Sequence, residues 1–248
     1  MLQIHQFPCL SDNYGFLVHD PATGATASID SPDADEILRQ AEAKGWRITD
    51  VWNTHWHPDH AGGNAAIKER TGAKVTGPAE VERIGQAPDH VVDEGAVIAL
   101  GSAKARVLNV GGHTLQHIAY VFDNDGVAFV GDALFAMGCG RMFEGTAEQM
   151  WTSLSKLAAL PEATTLYCAH EYTLSNARFA LAVDGGNAAL KARVLEVEKL
   201  RAENKPTVPM TLKAEKETNP FLRAPLIIPN VPAWQAFADL RGQKDNFK

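Results

Sequence analysis

Thr54-His55-Trp56-His57-Pro58-Asp59-His60-Ala61-Gly62-Gly63 places three histidines and an aspartate within six residues. The stretch follows an apolar strand-like run at 51–53 and ends in a glycine pair that permits a tight entry into a helix. His55 and His57 stand two apart, so on an extended backbone they point to the same side and can bite one metal ion together. Asp59 and His60 lie beyond Pro58, where the chain turns, and can supply a second, neighbouring set of donors. Imidazole combined with carboxylate suits zinc, iron or manganese. A plain surface loop rarely concentrates these residue types, so the segment reads as a metal site.

One catalytic ion takes about three protein ligands and keeps a position open. Two ions need more donors than this loop offers. His113 follows Val110-Gly111-Gly112, Asp132 follows the run 128–131, and His170 follows the run 165–169. Each sits just past the C-terminal end of an apolar strand, the edge at which α/β sheets bind ligands. Taken singly, His113 or His170 would be an ordinary hydrogen-bonded histidine; the repeated placement is what argues that they converge. His5, His19 and His90 read as structural or surface groups. His117 reads as a half-buried strand residue, with hydrogen-bonded support of a metal ligand as the alternative.

Outward from the loop, residues 2–7, 14–19, 25–30, 48–54, 74–77, 97–100, 105–110, 118–122, 127–130 and 164–168 read as strands, punctuated by Gly and Pro. Asp125-Gly126 marks a hairpin turn. Helical spacing occupies 33–44, 63–70, 147–160, 174–183, 188–204 and 233–240, while 206–232 is proline-punctuated and irregular. Strands with inserted helices, then a helical tail, predict an α/β (α+β) sandwich followed by a small helical C-terminal domain, divided near 171–173.

The 248 residues are 45% hydrophobic and 21% charged, which excludes disordered, collagen-like and disulfide-dense classes. Lys and Arg number 23 against 30 Asp and Glu, a net charge of −7 that disfavours nucleic acid as a partner. The three cysteines, Cys9, Cys139 and Cys168, form no CxxC, and each reads as a buried or turn residue rather than a nucleophile. No leader-like run opens the chain and no stretch approaches 18 apolar residues, so a cytoplasmic protein without a membrane span is expected. No GxSxG, GxxxxGK[ST] or helix-opening GxGxxG occurs, leaving serine-hydrolase and nucleotide chemistry without a signature.

Two ions about 3.5–4 Å apart can share a hydroxide, since bound water falls from pKa 15.7 toward about 7, while one ion polarises a carbonyl. Asp132 is the choice for a bridging carboxylate. Asp59 would ligate one ion and orient the hydroxide. The residues alone leave ester, thioester, amide and phosphodiester open.

The His55-Trp56-His57-Pro58-Asp59-His60 motif, followed in order by His113, Asp132 and His170, resembles the H-x-H-x-D-H signature of the metallo-β-lactamase superfamily across residues 1–172. The resemblance implies an αββα sandwich, one ion on His55, His57 and His113, a second on Asp59, His60 and His170, and Asp132 bridging.

Gly131-Asp132-Ala133-Leu134-Phe135, Cys139-Gly140-Arg141, Phe143-Glu144-Gly145-Thr146 and His170-Glu171-Tyr172-Thr173 narrow the match. Together with Thr218-Asn219-Pro220-Phe221-Leu222-Arg223 and the terminal Arg241, Lys244, Asp245 and Phe247, they resemble the hydroxyacylglutathione hydrolase (glyoxalase II) family over nearly the whole chain. That resemblance implies hydrolysis of S-lactoylglutathione to glutathione and D-lactate, the second step of methylglyoxal removal. It implies two divalent ions, zinc first with iron or manganese as alternatives, a dinuclear domain at 1–172 and a substrate-binding helical domain at 173–248. A small-molecule glutathione thioester is the expected partner, and a monomer the expected state.

By the same resemblance Arg141, Phe143, Tyr172, Arg241 and Lys244 contact glutathione; for Arg241 and Lys244 the competing expectation is a solvated tail. A tyrosine often stands in the family where Phe143 is here, and a lysine where Arg141 is. Phe143 lacks a hydroxyl, and Arg141 keeps the charge but changes its geometry. The alternative function is another dinuclear hydrolase on the same scaffold, a lactonase or other thioesterase. A single-iron dioxygenase would not need Asp59 and His60 as ligands, and a metal module without turnover would present a closed site.

Overall fold

A computed structural model describes residues 1–247. Contacts divide the chain into two compact units, residues 1–109 with 116–131, and residues 110–115 with 132 onward.

In the first unit β1 (Gln3–Cys9), β2 (Asn13–His19) and β3 (Thr26–Ile29) run antiparallel. The sheet continues in parallel through β4 (Asp50–Trp52), β5 (Lys74–Gly77) and β6 (His90–Val91). Parallel neighbours need crossovers. Helix α1 (Ala34–Lys44) supplies the one from β3 to β4, and α2 (Pro58–Ala61) with α3 (Asn64–Thr71) the one from β4 to β5. A second, antiparallel sheet follows as β7 (Val97–Leu100), β8 (Ala103–Asn109), β9 (Ile118–Phe122) and β10 (Val127–Gly131).

Both faces of β4 are covered. Ile37 of α1 and Ile67 of α3 pack with Leu17, Val51 and Val75 on one side. Each fully buried isoleucine contributes roughly 1.5–3 kcal/mol. On the other side Trp52 stacks on Phe122 at 5.8 Å and meets Tyr120 at 5.3 Å. The Asp33 carboxylate caps α1 by accepting from the Asp35 and Glu36 amides at 3.0 and 3.2 Å. A buried, doubly covered strand thus delivers the histidine-rich loop from its C-terminal end.

The second unit opens with the hairpin of β11 (Leu134–Phe135) and β12 (Gly138–Cys139). Then come α4 (Ala147–Ala158), β13 (Thr165–Cys168), α5 (Thr173–Asp184), α6 (Ala188–Ala202) and β14 (Met210–Thr211), which pairs with β13. The chain ends in α7 (Leu212–Thr218), α8 (Ala224–Ile227) and α9 (Ala233–Asp245). Side-chain oxygens of Thr146, Asn187 and Thr211 cap α4, α6 and α7. Ala177, Ala180, Leu190, Val194 and Val197 pack α5 against α6 around Met137.

Glu215 of α7 is fully buried. It accepts from the Met137 amide and the Asn219 side-chain amide, both at 2.9 Å, and pairs with Arg193 of α6. Asn219 also donates to the carbonyls of Phe135 and Gly138, tying the hairpin to the helices.

The structure departs from the sequence reading in several places. Residues 206–232 are not wholly irregular but carry β14, α7 and α8, each too short to register against the prolines around them. The last helix runs five residues past 240, because Gly242 sits mid-helix in open space. The β11–β12 hairpin is not expected from the sequence, its strands being two residues each. Among the described residues no helix is long and apolar enough to cross a membrane.

Candidate metal centre

The loop after β4 is held from behind by buried amides. Asn53 donates to the His60 carbonyl at 2.9 Å and accepts from Asn64 at 2.7 Å, and Ser31 donates to Asn64 at 2.6 Å. A Cβ on Gly63 would stand 2.7 Å from the Ser31 carbonyl oxygen, which accounts for glycine there. Pro58 then starts α2 and turns Asp59 and His60 back toward the strand end.

Asp30 is the hub of these donors. Its backbone has φ 59°, a left-handed conformation that aspartate tolerates better than most residues. Its carboxylate accepts from the Thr54 amide at 2.7 Å, the Thr54 hydroxyl at 2.9 Å and His60 Nδ1 at 2.8 Å. A carboxylate only accepts, so His60 carries its proton on Nδ1 and turns the lone pair of Nε2 outward. That nitrogen faces Asp59 Oδ2 at 3.5 Å.

The single Thr54 hydroxyl proton goes to Asp30, so the Thr54 oxygen accepts from His55 Nδ1 at 3.0 Å. His55 Nε2 is then a lone-pair donor as well, 3.0 Å from His57 Nδ1. His117 is fully buried rather than half-buried, and its ring stacks on His55 at 4.6 Å. It precedes β9 instead of lying in it, which puts the ring against the loop.

In the second unit His113 Nδ1 donates to the Arg141 carbonyl at 2.8 Å. Its Nε2 is thereby an acceptor, and it faces Asp132 Oδ2 at 3.4 Å. The other carboxylate oxygen, Oδ1, lies 3.4 Å from His170 Nε2. Gly140 lets these groups approach, since a Cβ there would fall 2.1 Å from the Asp132 carbonyl oxygen and 3.1 Å from His113 Nδ1.

With each imidazole neutral, acceptor faces acceptor at 3.4–3.5 Å, an opposition that a cation between them relieves. The donor chemistry therefore fits a divalent metal. Each unit carries its own set of such donors, His55, His57, Asp59 and His60 in the first and His113, Asp132 and His170 in the second.

Asp30 escaped the sequence reading, although it ends a strand-like run with an acid just as Asp132 does. Because it sets the His60 tautomer, Asp30→Asn is expected to lower metal affinity by about 10–100-fold, measured by titrating metal into the stripped protein. Unchanged affinity would show that the tautomer is set by something else.

The glutathione candidates all lie in the second unit. Arg141, Phe143 and Tyr172 are exposed at least in part; Phe143 meets the His113 ring edge-on at 5.3 Å, and Tyr172 stacks on His170 at 4.7 Å. Lys244 donates to the Ser175 hydroxyl and carbonyl at 3.1 and 3.2 Å, and burial beside Arg241 lowers its pKa. Neither Arg241 nor Lys244 belongs to a solvated tail. Arg241 lies on the buried face of α9 with Phe237 and Leu240, 5% exposed, and donates to the Cys139 carbonyl and to Asp245, both at 3.0 Å.

The cysteines are buried, and burial pushes the thiols of Cys9 and Cys139 up to about 11 and that of Cys168 to about 12. None is a nucleophile near neutral pH. His5 and His19 bond to Gln40 and Thr26, as structural histidines do.

Comparison with known proteins follows the same lines. Residues 15–170 match the family model of the metallo-β-lactamase superfamily, and residues 171–247 that of the hydroxyacylglutathione hydrolase C-terminus. A hydroxyacylglutathione hydrolase of Erythrobacter litoralis is 57% identical over the full length of both chains. That of Hyphomonas neptunium is 54% identical over all of this chain and 99% of its own. Among solved structures, ETHE1 from Myxococcus xanthus superposes with a TM-score of 0.71 at 25% identity, covering 98% of this chain and 90% of that one. The fold is of metallo-β-lactamase type with a helical C-terminal region.

Proposed function

The chain belongs to the hydroxyacylglutathione hydrolase family of the metallo-β-lactamase superfamily, and from that premise we propose that it hydrolyses S-lactoylglutathione and related 2-hydroxyacyl thioesters to glutathione and the 2-hydroxy acid, D-lactate in the first case. The observation that carries this reading is the match of residues 171–247, a helical region that brings cations to an otherwise acidic chain.

His55, His57 and His113 would hold one divalent ion, Asp59, His60 and His170 the other, and Asp132 both. Zinc is the first choice, with iron or manganese as alternatives for the same donors. When bound, the ions supply Lewis acidity, acidifying water and polarising the thioester carbonyl. Asp132 presents one carboxylate oxygen toward His113 and the other toward His170, which suits it to setting the spacing of two cations. Asp59, held by Asn13 at 3.2 Å, would accept a hydrogen bond from the attacking water. The leaving thiolate, with a thiol pKa of about 8.5, needs no dedicated acid. Arg141 and Lys244 attract the glutathione carboxylates, aided by the Tyr172 hydroxyl, and Phe143 offers an apolar surface. In this reading residues 1–172 form the metal domain and 173–248 the substrate domain of a cytoplasmic monomer.

The test is turnover of S-lactoylglutathione by the purified protein, with elemental analysis of bound metal and a simple lactone as competitor substrate. Two metal equivalents and thioester turnover are expected. Lactone turnover without thioester turnover would replace this reading by a lactonase. Lys244→Ala should raise KM about tenfold and leave kcat within about twofold, because the lysine binds a remote part of the substrate. A fall confined to kcat would remove Lys244 from the binding role.

A further inference from the structure

We propose that Asp245 is a positioning residue of the glutathione clamp, fixing the Arg141 guanidinium with a carboxylate that Arg241 holds in place; the proposal rests on the glutathione-thioester reading above. Asp245 Oδ1 lies 3.0 Å from Arg241 Nη2 and 3.4 Å from Arg141 Nε, so one oxygen joins both guanidinium groups. The two arginines differ in kind. The Arg241 side chain is 6% exposed, bonds through Nη1 to the Cys139 carbonyl, and lies over the Phe221 ring at 5.0 Å. The Arg141 side chain is 60% exposed.

The buried arginine is therefore an anchor. Its two Nη groups are engaged within the protein, and its Nε is buried without a hydrogen-bond partner among the described residues. The exposed arginine is the one that can meet a ligand. With Nε turned toward Asp245, its two Nη groups are left as the pair that a carboxylate accepts from side by side. Arg241 also steadies the backbone beneath Arg141, since the Cys139 carbonyl it holds is two residues upstream. The same short segment carries the Arg141 carbonyl that sets the His113 tautomer.

Helix energetics do not explain this aspartate. Asp245 is the last residue of α9, where the helix dipole disfavours a negative charge. Its partner Arg241 precedes it by four, the less favourable order for an i,i+4 pair. Nor does simple attraction of an anion, since a carboxylate beside the site opposes it. What Asp245 does is confine a long, flexible side chain through an acceptor oxygen, leaving Arg141 and Lys244 to face glutathione with its two carboxylates and one ammonium.

Asp245→Ala is expected to raise KM for S-lactoylglutathione about tenfold, with kcat within about twofold and bound metal unchanged. Asp245→Asn keeps an acceptor oxygen at the same position, so KM should return to within about threefold of the parent, with an unaltered melting temperature. In an Arg141→Ala background, Asp245→Ala should have no further effect, because it acts through Arg141. A KM that is unchanged or lowered in Asp245→Ala overturns the proposal, as do additive effects in the double variant. So does a loss of melting temperature and kcat shared by the asparagine variant, which would mark a plain structural role. Calorimetric binding of glutathione itself reads the same contrast without chemistry. A parent protein that binds glutathione in this pattern but does not cleave the thioester would sink the functional reading and leave this one standing; a parent that binds none overturns both.

Discussion

Replacing Asp132 with alanine is expected to cut thioester hydrolysis by at least about a thousandfold and to lower the metal content of the purified protein. The carboxylate turns one oxygen to His113 Nε2 and the other to His170 Nε2, each at 3.4 Å. A neutral His113 has no second proton for that oxygen, because the one it carries goes to the Arg141 carbonyl. A bound cation relieves the opposition, and Asp132 is the donor proposed to serve two of them. Lewis-acid stabilisation is worth several kcal/mol, and each 1.36 kcal/mol is tenfold in rate. Activity assay with elemental analysis checks both halves. His57→Ala should behave alike, since His57 Nδ1 stands 3.0 Å from the outward lone pair of His55. A variant at either position with unimpaired kcat/KM would end the metal-centre reading.

Glu215→Ala is expected to destabilise the fold by about 3–5 kcal/mol, the usual consequence of removing one partner from a buried ion pair. Glu215 has no exposure and serves the Met137 amide, Asn219 and Arg193 at once. Its loss leaves Arg193, whose side chain is 14% exposed, without its carboxylate and the Met137 amide without an acceptor. At about 2–4 °C per kcal/mol for a chain of this size, the melting temperature should fall by roughly 6–20 °C. Glu215→Gln, which keeps an acceptor, should fall less. A change of under 2 °C in the alanine variant would mean that the helices do not depend on this knot.

What could be read from residues alone was what short-range pattern encodes. The donor loop declares itself because its histidines and aspartate are neighbours in sequence. His113, Asp132 and His170 declared themselves by a repeated strand-then-donor arrangement. Asp30 follows the same arrangement and was passed over, since its role depends on Thr54 and His60 meeting it from 24 and 30 residues away. β14, α7 and α8 stayed hidden because their order comes from tertiary bonds such as those of Asn219 to the hairpin carbonyls, not from local propensity. Arg241 and Lys244 carried a clear charge but no sign of depth. Only the packing of α9 shows that one is buried and the other half-buried.

The three sheltered sulfurs matter for a protein proposed to release a free thiol at every turnover. With thiol pKa values near 11–12, far less than one molecule in a thousand carries a thiolate at neutral pH. Attack on a passing oxidised glutathione, the route to a mixed disulfide, is thereby closed on both kinetic and steric grounds. The catalyst can work in concentrated tripeptide without becoming S-glutathionylated by it.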